Sequence, residues 1–413
     1  MVTVSERSLL DRIKRLRELR TRQRKRDFQL TRKSEEHMES KKTVCVHEGN
    51  IIDERVGGTN TPIHTSTSFA YLDNRPITYP RYFNTVNQEA VVRKMNALEY
   101  GENSLVFSSG MAAISTTLLS LLKSGDHALF QNGLYGGTFH FITTRLQDFS
   151  IEYTVVEDNS EETFKKAIRP NTKAVYVETP SNPLLNIIDL EMIASLAHSN
   201  GVVSVADNTF ASPINQNPLN FGIDIVLHSA TKYLGGHSDI CAGIVTSSDS
   251  IIDLIRKTAV GLGGSLNALT CYLLERSLKT LAVRVEQINS NAMEVVLFLN
   301  GHPGVRKVYY PGLPRHPGHP IARKQMSGFG GMVSFELDAL DSVSFQKKLR
   351  LIRPSVSLGG VESIICSPAL TSHARLSKEE RMQAGISDDL LRLSVGIEEA
   401  DDLIFDLKQA FPL

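Results

Sequence analysis

Between about residues 100 and 250, short apolar, β-branched runs alternate with longer stretches of helical period. Asn103 to Phe107 reads as a buried strand, followed by Ser108-Ser109-Gly110 and a helix over Met111 to Leu122. Ala128 to Gln131 is a short strand ahead of a glycine turn. Lys173 to Val177 is another; it ends at the run Glu178 to Pro183, and a helix over 189–199 follows. Val202 to Ala206 ends at Asp207, and Ile223 to Leu227 ends at His228 and Ser229. Strands alternating with helices predict an α/β fold whose mostly parallel central sheet is flanked by helices on both faces. Ligands of such sheets sit beyond the carboxyl ends of the strands. The polar residues just named fall at those ends, so the pattern predicts a site as well as a fold.

After about residue 283 the texture changes. Turn signals at His302-Pro303-Gly304 and Pro311-Gly312 separate shorter elements, Gly330 to Leu337 reads as a strand, and Asp401 to Phe411 as an amphipathic helix. A smaller C-terminal α+β domain is expected over 284–413. No internal repeat or low-complexity tract interrupts the chain.

The 413 residues carry no net charge, and 41% are hydrophobic, an ordinary globular composition that needs no disulfides. The four cysteines form no CxxC pair and meet no histidine at zinc spacing, so reduced thiols in a cytoplasmic protein are expected, with no metal. No apolar run approaches a membrane span. Charge is uneven: Met1 to Lys42 holds 14 Lys or Arg against 7 Asp or Glu. Leu9, Leu10, Ile13, Leu16 and Leu19 recur there at helical spacing. Residues 1–37 are therefore read as a basic extension, helical or disordered. A targeting leader fits its acidic residues badly. The neutral whole and the lack of a reader motif leave nucleic-acid contact at most as an accessory role of this extension.

Chemistry concentrates in Ser229-Ala-Thr-Lys-Tyr-Leu-Gly-Gly-His237. A lysine is an imine former only when its amine is often neutral, which burial and nearby positive charge favour. Ser229 and Thr231 can hydrogen-bond a phosphate, and Gly235 and Gly236 allow a close turn. Asp207 ends a strand 25 residues before Lys232, separated by one helical crossover, so both can share one sheet edge. A carboxylate beside a pyridine nitrogen keeps that ring protonated and electron-accepting. Ser109-Gly110-Met111 opens a helix, where backbone N–H groups bind anions. Tyr135, on the glycine turn Gly136-Gly137, can stack on a flat cofactor. A nicotinamide dehydrogenase is excluded by the absence of GxGxxG.

With these motifs in order, the chain resembles the Cys/Met-metabolism family of pyridoxal-phosphate enzymes from about Thr43 to the C-terminus. The agreeing stretches are Tyr79-Pro-Arg81, SSGMAAI from Ser108, LYGGT from Leu134, ETPSNP from Glu178, ADNTFASP from Ala206, HSATKYLGGH from His228, SLGGVES from Ser357 and RLSVGIE from Arg392. The resemblance implies a fold type I pyridoxal-phosphate-dependent transferase: an arm over 38–84 that contacts a neighbouring subunit, a cofactor domain over 85–283, and a homotetramer built as a dimer of dimers. It implies that Lys232 carries pyridoxal 5'-phosphate as a Schiff base and shuttles protons, that Asp207 meets the ring nitrogen, and that Tyr135 stacks and exchanges protons. Gly110, Met111, Ser229 and Thr231 would hold the phosphate, with Tyr79 and Arg81 reaching the phosphate of a neighbouring subunit. Asn182 would lie near ring and substrate, and Arg392, assisted by Ser357, would bind the substrate carboxylate, for which an arginine fork is suited.

The implied activity is a carbon–sulfur lyase of trans-sulfuration acting on cystathionine or a related small sulfur amino acid, with cystathionine γ-synthase and methionine γ-lyase as alternatives. Three positions depart from the family's usual pattern. Asn84-Thr85-Val86 replaces N-P-T. Val356 stands where enzymes acting at the γ-carbon of cystathionine commonly have glutamate. Gly137 stands where methionine γ-lyases commonly have cysteine.

Overall fold

The computed structural model describes residues 40–72, 76–374 and 377–412; the basic extension, and its expected helix, lie outside the described residues. Two sheets organise the described residues. The larger has seven strands: β1 Asn103–Phe107, β2 His127–Phe130, β3 Glu152–Val155, β4 Thr172–Glu178, β5 Val203–Asp207, β6 Ile225–Ser229 and β7 Gly243–Ser247. Their spatial order is β1-β7-β6-β5-β4-β2-β3. The run from β6 to β3 is parallel, whereas β7 pairs antiparallel with both β1 and β6. Every residue of β2 and β7 is buried, as expected of strands covered on both faces. One core packs Phe107, Ile114, Leu118, Phe130, Tyr176 and Val205 between the sheet and the helices Gly110–Leu121 and Asp249–Leu262. A second packs Leu129, Val175, Ile193 and Ala197 under the helix Leu190–Ser199 on the other face.

The smaller sheet has β8 Val305–Tyr309, β9 Met332–Leu337, β10 Arg353–Pro354, β11 Ile364–Cys366 and β12 Leu390–Ser394, in the order β10-β11-β12-β9-β8. Its Val333, Phe335, Leu391 and Leu393 share a core with the long helix Leu281–Gly301 and the terminal helix Ala400–Ala410. The expected central sheet and smaller C-terminal sheet are both present.

Differences from the sequence reading have local causes. The strand expected over 223–227 runs 225–229, because Gly222 is left-handed at φ 90° and Asp224 is drawn into side-chain hydrogen bonds with Ser204. His228 and Ser229 are therefore strand residues rather than the loop beyond. The crossover between β5 and β6 is not a full helix but two fragments, Ser212–Asn215 and Pro218–Phe221, each with proline near its start. Gly136 and Gly137 do not form a turn; they begin the helix Gly136–Thr144, with Tyr135 as its N-cap. The antiparallel β7 was not foreseen, since its short apolar run is indistinguishable by pattern from a parallel strand.

Candidate active site

The carboxyl ends of β4, β5 and β6 open into a cavity of about 520 Å³ that also meets the smaller sheet. Gly110, Met111, Tyr135, Asn182, Asp207, Ser229, Thr231, Lys232, Ser357 and Arg392 all line it. Tyr79 and Arg81 do not. They lie at the short helical turn Pro80–Tyr82, where Arg81 donates to the Val260 carbonyl at 2.6 Å and Tyr79 is 40% exposed. Nearby, the departure at Thr85 has a structural role. Its backbone N–H donates to Gln88 Oε1 at 3.0 Å at the start of the helix Val86–Glu99, a bond that proline could not make.

One end of the cavity is formed by the start of the helix Gly110–Leu121. Ser109 caps the helix Gly110–Leu121 by accepting from the Ala112 N–H at 3.0 Å. Gly110 and Met111 of the first turn, whose N–H groups have no acceptor within the helix, line the cavity with Ser229 and Thr231 beside them, an arrangement suited to an anion. The fit is close: a Cβ on Gly110 would lie 2.8 Å from Ser229 Cβ, and one on Gly243 would lie 2.1 Å from the Ser109 carbonyl oxygen. Only glycine lets the helix start approach β6 and β7 so nearly.

Lys232 follows β6 by three residues and projects across the cavity floor. Its Nζ donates to Ser357 Oγ at 2.7 Å. Burial, with the Arg392 cation adding to it, pulls the amine down to about 8. The loop behind it is clamped by Arg284, which is 4% exposed and donates to the carbonyls of Tyr233 at 2.7 Å and Ser277 at 2.9 Å. Gly236, left-handed at φ 68°, leaves room for that guanidinium, which a Cβ would meet at 2.0 Å.

Arg392 comes from β12 and is buried. It donates from Nη1 to Asn182 Oδ1 at 2.8 Å and from Nη2 to the Ser357 carbonyl at 3.1 Å, while its buried Nε has no partner. A buried guanidinium with an unmet donor and, among the described residues, no ion-pair partner is suited to an incoming carboxylate. Ser357 itself is left-handed at φ 80°, which turns its hydroxyl to Lys232 and its carbonyl to Arg392. Asp207 accepts from the Thr209 N–H at 2.9 Å, and burial raises its carboxyl above the usual range. Tyr135 is 46% exposed at the mouth. A Cβ on Gly137 would sit 2.5 Å from its ring, so this glycine sets the ring position.

The donor set fits pyridoxal phosphate: a helix start flanked by two hydroxyls, a carboxyl at a strand end, an aromatic ring at the mouth and an amine drawn down to about 8. Among the described residues, no group of three or more His, Cys, Asp or Glu is placed to hold a metal ion, and no helix is long and apolar enough to cross a membrane. Cys45, Cys271 and Cys366 are buried free thiols; Cys241 is exposed and lines the cavity.

Two buried groups went unread in the sequence. Glu99, at the end of its helix, accepts from His228 Nε2 at 2.5 Å, from Asn208 at 3.0 Å and from Asn217 at 3.1 Å. Glu178 was read only as a strand end, yet it lines the cavity beside Asp207. A carboxylate closing an apolar strand was the available signal for Glu178; nothing local marked Glu99.

Comparison with known proteins agrees. The sequence pattern described as "Cys/Met metabolism PLP-dependent enzyme" matches residues 42–412. A cystathionine gamma-lyase of Bacillus subtilis is 45% identical over 90% of this chain and 98% of its own. A cystathionine beta-lyase of Lactococcus lactis is 43% identical over 90% of this chain and 99% of its own. The crystal structure of a cystathionine gamma-lyase from Lactobacillus plantarum, complexed with L-serine, superposes with a TM-score of 0.87 at 41% identity, covering 90% of this chain and 98% of that one.

Proposed function

Since the chain belongs to the Cys/Met-metabolism family of pyridoxal-phosphate-dependent enzymes, we propose that it is a carbon–sulfur lyase of trans-sulfuration that cleaves cystathionine or a closely related thioether amino acid. The named activities of its relatives carry this reading, and the cavity is compatible with it. The cofactor, when bound, supplies an aldehyde that captures an amino group and a cationic ring that draws electron density from the adjoining carbon.

The chain's residues divide the remaining work. Arg392, oriented by Asn182 and Ser357, holds the substrate carboxylate. Lys232 anchors the cofactor and, once free, takes the proton from the substrate's α-carbon; an amine drawn down to about 8 is a usable base at neutral pH. Asp207 would keep the ring nitrogen protonated, Tyr135 would pack against the ring, and Gly110, Met111, Ser229 and Thr231 would hold the phosphate. A leaving group on Cβ departs after that single deprotonation. One on Cγ requires a second proton to leave Cβ, and Lys232 and Tyr135 are the groups at hand. The reaction consumes water and releases a thiol, a 2-oxo acid and ammonia.

The assembly we propose is a cytoplasmic homotetramer in which Tyr79 and Arg81 of the 38–84 arm complete a neighbour's phosphate site, with 85–283 as cofactor domain and 284–413 as C-terminal domain. Methionine γ-lyase activity is the second reading, favoured by Val356, an apolar side chain 66% exposed at the cavity rim. The deciding experiment supplies cystathionine, methionine, homocysteine, and an O-acyl-homoserine with cysteine, and identifies the products. Cystathionine cleavage is expected to dominate. Preferential methionine cleavage selects the second reading, and net synthesis of cystathionine overturns both.

A further inference from the structure

Asp207 is not alone at its strand end. β4 and β5 are paired in parallel register, with Glu178 opposite Asp207, so two carboxyl groups leave adjacent strands at the same edge. Glu178 is 6% exposed. Side chains two residues apart on a strand share a face, and Tyr176 accordingly points the same way as Glu178. Its hydroxyl lies 3.4 Å from Glu178 Oε1 and 3.4 Å from Asp207 Oδ2. The other oxygen of Glu178 accepts from the Tyr135 N–H at 2.8 Å.

Two carboxylates that share one site oppose each other's ionisation, which favours a state in which one of them keeps a proton. The Tyr176 hydroxyl can donate to either carboxyl, so the phenol between them relays one proton in either of two directions. In one, a protonated Glu178 donates to the Tyr176 oxygen and Tyr176 donates to Asp207. Asp207 then accepts from Tyr176 on one oxygen and from the Thr209 N–H on the other, while carrying the negative charge. The reverse assignment would leave Glu178 ionised and Asp207 neutral, opposite to what a ring nitrogen needs. The surrounding charges act in the same sense. His228, one residue before Ser229 on β6, favours the Asp207 anion, whereas Asp207 itself opposes ionisation of Glu178. Lys232 and Arg392 lie in the same cavity, and Glu99 lies behind the sheet on His228. The Thr138 hydroxyl and the Tyr135 N–H act the other way, favouring the Glu178 anion, but burial and the Asp207 charge outweigh them.

We propose that Glu178 keeps its proton and, through Tyr176, holds Asp207 as the single anion at the ring edge, while its second oxygen fixes the start of the helix that carries Tyr135. Glu178 is thus a positioning residue for both groups that flank the cofactor. The inference rests on the cofactor assignment and not on which thioether is cleaved.

The test compares Glu178→Gln, Glu178→Ala, Tyr176→Phe and Asp207→Asn. Glutamine reproduces a protonated acid's shape and lacks the charge. Two readouts are independent of turnover. One is the infrared band of a protonated carboxyl in the cofactor-free protein at neutral pH. The other is the pyridoxal-phosphate dissociation constant, with the pH dependence of the holoenzyme's visible absorbance. The protonated-carboxyl band is expected in the parent protein and absent from E178Q. E178Q is expected to bind cofactor within about threefold of the parent and to keep its pH profile. E178A and D207N should lose about tenfold or more, the scale of one charge-assisted hydrogen bond. Tyr176→Phe should fall between, with a displaced pH profile. Binding by E178Q as poor as that of D207N, or a spectrum in which E178Q removes no band, overturns the proposal. If E178A does not fold, E178Q and the infrared measurement still decide it.

Discussion

The amine of Lys232 donates to the hydroxyl of Ser357 at 2.7 Å, across 125 residues of sequence and the boundary between the two sheets. The same serine offers its carbonyl to Arg392. One left-handed residue therefore holds both the amine proposed to anchor the cofactor and the guanidinium proposed to read the substrate carboxylate.

The Lys232 amine should titrate near 8 in the cofactor-free protein, since burial and then the Arg392 cation favour its neutral form. Arg392→Met removes that cation and should move the apparent pKa upward. The pH dependence of the rate at which the amine forms an imine with a small aldehyde measures it. An unchanged profile in the variant would show that the cation contributes nothing.

Acid should weaken the fold through His127. Its ring nitrogens meet Thr172 Oγ1 at 2.8 Å and Thr154 Oγ1 at 3.0 Å, and burial, with Arg169 adding to it, draws its pKa down to about 4. The unfolded chain protonates this ring near 6.5, so the stabilisation is complete above that pH and is lost as pH falls from there toward about 4. Its size is on the order of 2 kcal/mol after allowing for solvent screening. His373 shifts the same way, to about 4, through burial and Arg392. Urea midpoints of the parent should therefore fall more steeply across this range than those of His127→Gln. Parallel curves would refute the assignment.

The Glu99–His228 pair, with both side chains at most 1% exposed, should be structurally expensive to break. Glu99→Ala strands His228, Asn208 and Asn217 without their acceptor and should cost roughly 3–5 kcal/mol. Glu99→Gln keeps one carbonyl acceptor and should cost less. Denaturant unfolding of both variants checks the order; equal and small losses would contradict it.

The sequence exposed what repeats or ends locally. The strand–helix alternation gave the sheet, and the strand ends at Asp207 and Ser229 pointed at the site. Arg392, Asn182 and Ser357 came from the family resemblance alone, because their contacts with one another cross 35 and 210 residues and no period links them. Glu99 reaches His228 over 129 residues and looks in sequence like any polar helix end. The register that sets Glu178 opposite Asp207 was likewise invisible, since it depends on how β4 and β5 align and not on either strand alone. Gly137 read as part of a turn because two adjacent glycines usually signal one; here the space is taken by the Tyr135 ring.

Lys232 is proposed as the residue that bears the cofactor. Borohydride reduction of the purified holoenzyme, followed by peptide mass mapping, measures this directly. A pyridoxyl group fixed on Lys232, and absent from Lys232→Ala, is the predicted result. A reduced adduct on any other lysine, or none at all in protein that retains its bound cofactor, would contradict the account.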